Sequence, residues 1–284
     1  MTAKVDSKEV GLGIGLILSK TFLDTEYLHY GFFDNGLQPE IRNLAAAQVR
    51  YAEFLKSHIP AGTKTILDVG CGSGRFALEL KKAGYEVECV SPGTVLTEHA
   101  SALLGPQVRL HNCRFEDLTT DRTFDLVLFS ESFQYIPVEL SLGGALQRLN
   151  PRGHILICDF FKTDPERQSL LGGGHDLELY RTVAARFPLD LVKEQDITAE
   201  TAPTIDVVNR LSTDAILPIY QLGFRLLDDR YPWVARFVKW KYQKKIAKLE
   251  NKHFSGKRTG ENFRKYKKYL LQLYRVRPGA PQPA

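Results

Sequence analysis

The segment Thr65-Ile66-Leu67-Asp68-Val69-Gly70-Cys71-Gly72-Ser73-Gly74-Arg75 constrains the chain more than any other stretch. A short β-branched run ends in three glycines at alternate positions, and Arg75 to Lys82 then follows with helical spacing. This is strand, tight turn, helix. Glycines let the backbone bend sharply, admit a ligand against the main chain, and aim amide groups from the start of a helix. The dinucleotide-binding spacing needs one more glycine at position 75, where Arg75 stands, so a nicotinamide or flavin dinucleotide is disfavoured. Gly256-Lys257 is not a phosphate-binding P-loop, because the upstream glycine is missing and Arg258 follows in place of Ser or Thr.

The same alternation continues downstream. Strands are expected at Tyr85 to Val90, Val108 to Cys113, Phe124 to Phe129, Ile155 to Phe160 and Leu189 to Gln195. Helices are expected at Thr94 to Leu104, Val138 to Leu149 and Asp176 to Arg186, with a turn at Asn150 to Gly153. Several strands are apolar on both faces, which describes a parallel sheet covered on both sides. The fold class is therefore α/β, a doubly wound, mostly parallel seven-stranded Rossmann-like sheet. Residues 1–50 are expected to form an N-terminal helical cap, 51–200 the α/β core, 201–262 a helical insertion of two or three helices, and 263–284 a last strand with a tail that frays from Arg277.

Composition is that of an ordinary globular chain: of 284 residues, 43% are hydrophobic and 25% charged, so disordered and collagenous classes are excluded. The apolar run Gly11 to Leu18 is far shorter than the about 18 residues of a membrane span. Cys71, Cys89, Cys113 and Cys158 are widely spaced and form no CxxC pair, which implies neither a metal cluster nor a disulfide framework and fits a reducing, cytoplasmic setting. Charge is uneven. From Tyr231 to Arg277 there are fifteen Lys and Arg against Glu250 and Glu261 alone. Such a segment is either a solvated helix face or a contact for an anionic partner, whether phosphate, an anionic lipid surface or nucleic acid.

The run Ile66 to Ala77, with its strand, opening acid and spaced glycines, resembles the first motif of class I S-adenosylmethionine-dependent methyltransferases. The likeness extends over about residues 55–200. It implies S-adenosylmethionine as cofactor, with its amino-acid end held by Asp68 and the turn Gly70, Cys71, Gly72 and Gly74. At the end of the second strand such enzymes place an acid on the ribose hydroxyls, but Ser91-Pro92 stands here and offers only neutral hydrogen bonds. Phe115 and Glu116 (or Asp117) fall where relatives contact adenine, and Ser130 at the position after the fourth strand. The segment from Ser130 to Pro137 lacks the Asn/Asp-Pro-Pro-aromatic signature of base-modifying relatives, so nucleic acid is not the expected acceptor. It keeps only Glu131 of the magnesium-binding set of quinone-pathway relatives, so no metal is expected.

The resemblance also implies that an aromatic residue of Tyr27 to Asp34, assigned to Tyr30, folds over the cofactor. His175, after the glycines 172–174 of a loop expected to be flexible, is a candidate general base, and Glu131 a candidate for polarising the acceptor. The expected activity is methyl transfer to oxygen or carbon of a small hydrophobic metabolite. A methyltransferase-fold partner subunit without catalysis, and an enzyme acting on a lipid or phosphorylated acceptor, stay open beside it. Oligomeric state is left undetermined.

Overall fold

A computed structural model describes residues 7–164 and 171–279. Seven strands form one sheet: β1 (Thr65–Val69), β2 (Glu86–Val90), β3 (Arg109–His111), β4 (Phe124–Ser130), β5 (Leu149–Lys162), β6 (Leu189–Asp196) and β7 (Lys267–Val276). Their spatial order is β3-β2-β1-β4-β5-β7-β6. β1 to β5 are parallel, while β7 slots in antiparallel to both β5 and β6. The chain order reverses at β1, and the crevice above β1 and β4 is where an open α/β sheet binds ligands.

Period-two alternation decides which layer each strand residue joins. Ile66, Leu126 and Leu128 face a layer containing Tyr51 and Leu55 of α2 (Leu44–Ser57) and Leu80 of α3 (Arg75–Lys82). Leu67, Val69 and Val127 face the opposite layer, with Leu142 and Tyr180. Both faces are buried, which explains why these strands read as continuous apolar runs. The remaining helices are α1 (Ser7–Leu23), α4 (Val95–Leu104), α5 (Val138–Gln147), α6 (Leu177–Ala184), α7 (Thr198–Thr201), α8 (Pro203–Leu211), α9 (Leu217–Arg230), α10 (Pro232–Phe254) and α11 (Gly260–Tyr266). Among the described residues no helix is long and apolar enough to cross a membrane.

Three local readings change. The turn at Asn150 to Gly153 is an irregularity inside one long β5: Leu149 pairs with Phe124, the register shifts, and Arg152 takes a left-handed φ of 67°. The last strand begins at Lys267 and not at Phe263, because Thr259 caps α11 by accepting from the Asn262 amide and so places Phe263 in a helix. The insertion carries α8, α9 and α10 in succession, and Pro218 sits in the first turn of α9. A π-helical turn at Ser212–Ile216 precedes it and absorbs the hydrogen bond that proline cannot make, so the chain stays helical from α8 into α9. Arg277 is tied down, its amide donating to Pro188 O and its guanidinium pairing with Asp190 at 2.9 Å; residues 280–284, also expected to fray, lie outside the described residues.

Candidate active site

The cofactor half grows from β1. Asp68 ends buried, and burial alone pushes its carboxyl up to about 7, with no described hydrogen bond or ion pair to offset the desolvation. The three glycines after it do different jobs. At Gly70 (φ 77°) a Cβ would meet Ser132 Cβ at 2.5 Å, and at Gly74 (φ 81°) it would meet Ala100 Cβ at 3.0 Å, so the protein's own packing requires both. Gly72 (φ 57°) has only Leu28 Cδ1, at 4.0 Å. Its open side is a cradle that a side chain would fill. A buried acid without a partner beside amides at a helix start fits a zwitterion, whose ammonium answers Asp68 and whose carboxylate answers the amides.

A strap from Thr25 to Asp34 crosses this edge of the sheet. Gln48 of α2 donates to Tyr27 O and His29 O, Thr204 of α8 accepts from the Gly31 amide, and Phe32 donates to Ala47 O. Ser73 Oγ donates to Glu26 O, tying the strap to the glycine turn. The Tyr30 amide donates to Glu131 Oε1 at 2.7 Å, and the Tyr269 hydroxyl donates to the same oxygen at 2.7 Å. Glu131 follows β4 in left-handed backbone (φ 56°), a strained conformation for this residue, and desolvation pushes its carboxyl up to about 8 despite both donors. Tyr51 extends the chain of contacts, 2.8 Å from Tyr269 Oη and 3.5 Å from Ser130 Oγ. The Tyr30 ring lies 5.7–6.0 Å from the rings of Phe160, Phe263 and Tyr269, forming an aromatic wall over the carboxyl.

A family model described as a methyltransferase domain matches residues 40–190, more than half of the chain. The chain belongs to the methyltransferase-domain family. Its methyl donor is S-adenosylmethionine, consistent with the zwitterion cradle above. It is 27% identical over 150 residues to an uncharacterized methyltransferase of Staphylococcus carnosus, covering 51% of this chain and 70% of that one. It is 32% identical over 129 residues to the cypemycin N-terminal methyltransferase of a Streptomyces species, covering 42% and 50%. The chain thus spans half of that second relative's length. In fold it is similar to the [4+2]-cyclase SpnF, with a TM-score of 0.67 at 17% identity over 96% of this chain and 95% of that one. It is also similar to the geranyl diphosphate C-methyltransferase of Streptomyces coelicolor, with a TM-score of 0.66 at 15% identity over 96% and 99%.

In this methyltransferase the structure joins Tyr30 to Glu131, sets Ser130 against Tyr51 beside them, and keeps Asp68, Gly70, Cys71, Gly72 and Gly74 together at the turn. Ser91 is buried at the end of β2 with its amide on His111 O, and Pro92 beside it is exposed. Phe115 is turned into the core, edge-on to Phe129 with the Arg148 guanidinium 5.2 Å over its ring, while Glu116 and Asp117 of the same loop are exposed. His175 is not on a free loop: its Nε2 donates to Phe133 O and Ile136 O at 3.0 and 2.9 Å, which leaves only Nδ1 for proton abstraction. No described contact links it to Glu131. The expected flexibility of its loop is corrected for residues 171–175, where Gly173 O accepts from Lys267 Nζ and the Gly174 amide donates to Gln134; residues 165–170 lie outside the described residues. Among the described residues no cluster of three His, Cys, Asp or Glu converges as a metal site.

Sequence reasoning missed Tyr51, Phe160, Phe263 and Tyr269, and also Asp159, whose buried carboxyl is pushed up to about 7 while Gln134 donates to both its oxygens. It missed Lys267, whose ammonium burial lowers to about 8. The usable signal was β7's pattern of Lys267, Tyr269 and Leu271, which places alternate residues on one face at the edge where β5 ends.

Proposed function

We propose that this methyltransferase moves a methyl group onto an oxygen or carbon of a small, largely apolar metabolite bound against Tyr30, Phe160, Phe263 and Tyr269. The observation that carries the reading is Glu131, a desolvated carboxyl fixed by two donors beneath an aromatic wall and one residue before Ser132, which packs against the cofactor turn. S-adenosylmethionine supplies an already activated methyl group, so the chain's tasks are alignment, exclusion of water and acceptance of a proton. The strap excludes water. The rings would orient an apolar acceptor, and Glu131 would receive the acceptor's proton as the acceptor's oxygen or carbon takes the methyl group, the sulfur–methyl bond breaking and S-adenosylhomocysteine leaving. A carboxyl near 8 is well matched to that role, since proton transfer is most efficient when the base lies close to working pH.

The test is incubation with methyl-deuterated cofactor and a fractionated metabolite extract, read by mass spectrometry. A labelled apolar product that disappears with Glu131→Gln supports the reading, whereas label carried only by polar or macromolecular fractions overturns it. One observation favours a second reading, a cofactor-binding subunit without methyl transfer: Ser91 stands where the family resemblance places a ribose-binding acid. S-adenosylhomocysteine binding in calorimetry without any labelled product selects it.

A further inference from the structure

The helical hairpin of α9 and α10 carries a feature that methyl transfer does not use. Its inner side is satisfied by its own two helices: Lys239 pairs with Asp228 at 2.6 Å, Tyr220 donates to Glu250 at 3.0 Å, and Tyr220 and Phe224 line a groove of about 480 Å³ with Ile246. The outer side of α10 is different. Trp233, Phe237, Trp240 and Lys244 recur at intervals of four, three and four residues, so they form one stripe along the helix. Trp233 is 75% exposed and Trp240 71%. Lys241, Lys245 and Lys248 flank the stripe and are exposed, and among the described residues no acid pairs with them or with Lys244. α10 as a whole has seven Lys and Arg against Glu250, which is turned to the inner side.

We propose that the outer face of α10 docks the protein onto the surface of an anionic lipid bilayer. Three properties select this partner. Tryptophan and phenylalanine with an apolar body and, for tryptophan, a polar edge suit the boundary between headgroups and acyl chains, while flanking lysines reach the anionic headgroups. The helix lies on the membrane and does not span it, in keeping with its charge. A second copy of the same face fits poorly, because its lysines would meet lysines with no acid between them.

The chain has two tryptophans, and both are on this stripe, so their fluorescence reports the contact directly. The full chain is titrated with phosphatidylcholine vesicles with or without phosphatidylglycerol, following emission and sedimentation. The proposal expects a blue shift and co-sedimentation with the anionic vesicles only. Lys241, Lys244, Lys245 and Lys248 all changed to Gln should weaken partitioning about tenfold or more, and Trp233→Ser with Trp240→Ser should abolish co-sedimentation, with S-adenosylhomocysteine binding unchanged in both. Equal binding to neutral vesicles, co-sedimentation without a tryptophan shift, a shift produced by an oligonucleotide but not by vesicles, or a shift that follows protein concentration alone would each overturn it.

Discussion

The glycine turn and the proposed acceptor site are built by opposite strategies. The turn comes from one continuous segment, Asp68 to Arg75, whose geometry is imposed by glycines and whose open side at Gly72 is a gap in the protein's own packing. The proposed acceptor site has no such segment. Tyr30 comes from the strap, Tyr51 from α2, Glu131 from the end of β4, Phe160 from β5, Phe263 from α11 and Tyr269 from β7. A local loop can keep one ligand while evolution rearranges six distant contributors around another, which is how one fold serves many acceptors.

If the two are separable, substitutions should split binding from chemistry. Glu131→Gln keeps an oxygen to accept from Tyr30 and Tyr269, so S-adenosylhomocysteine affinity should stay within about twofold while turnover falls about 10²- to 10⁴-fold. A parallel loss of cofactor affinity would show that the two are one unit. Gly72→Val should do the reverse, weakening S-adenosylhomocysteine about 100-fold by filling the cradle, with a stability cost near the roughly 1–2 kcal/mol of left-handed backbone. Gly70→Ala should instead lower the melting temperature, since its methyl group collides with Ser132.

Asp68→Asn should weaken S-adenosylhomocysteine about tenfold. In the unaltered protein the ligand's ammonium selects the ionised carboxylate, so affinity should rise with pH toward about 7 and then level off, and the variant should lose that dependence. Calorimetry across pH measures both. Stability has the opposite sign. Asp68, Asp159 and Glu131 hold protons in the folded chain that the unfolded chain has already lost, so their contribution is complete at low pH and disappears as pH rises through about 7 to 8. His29, lowered to about 4 by desolvation, opposes this only below about pH 6.5. Between about pH 6.5 and 8 the melting temperature of the free protein should therefore fall, and less steeply in Glu131→Gln. The smallest effect expected is from Ser91→Asp, which restores a charged partner at the end of β2 and should tighten the cofactor a few-fold in the same calorimetry.

What the sequence disclosed follows the same division. The sheet was legible because Ile66, Leu67, Leu126 and Val127 are buried on alternate faces, and the cofactor turn because its spacing is local. Phe263 was read as strand because aromatics suit strands, whereas the Thr259 cap decides for helix. His175 drew attention as a titratable ring after glycines, but two backbone carbonyls from a segment about forty residues earlier occupy its Nε2, a contact no local pattern encodes. Glu131 was visible as an acid after β4. Its partners were not, since Tyr269 lies 138 residues away in sequence.

The antiparallel seat of β7 between β5 and β6 has a consequence for biosynthesis. Translation proceeds from the N-terminus, so a ribosome can release the whole glycine turn and its supporting strands while the sheet still has a slot next to its β6 edge. Until residues 267–276 emerge and fill that slot, β6 has no hydrogen-bonded neighbour and Glu131 lacks its tyrosine donor. Nascent chains stalled before that point should retain the glycine turn in outline while Glu131 is held by the Tyr30 amide alone.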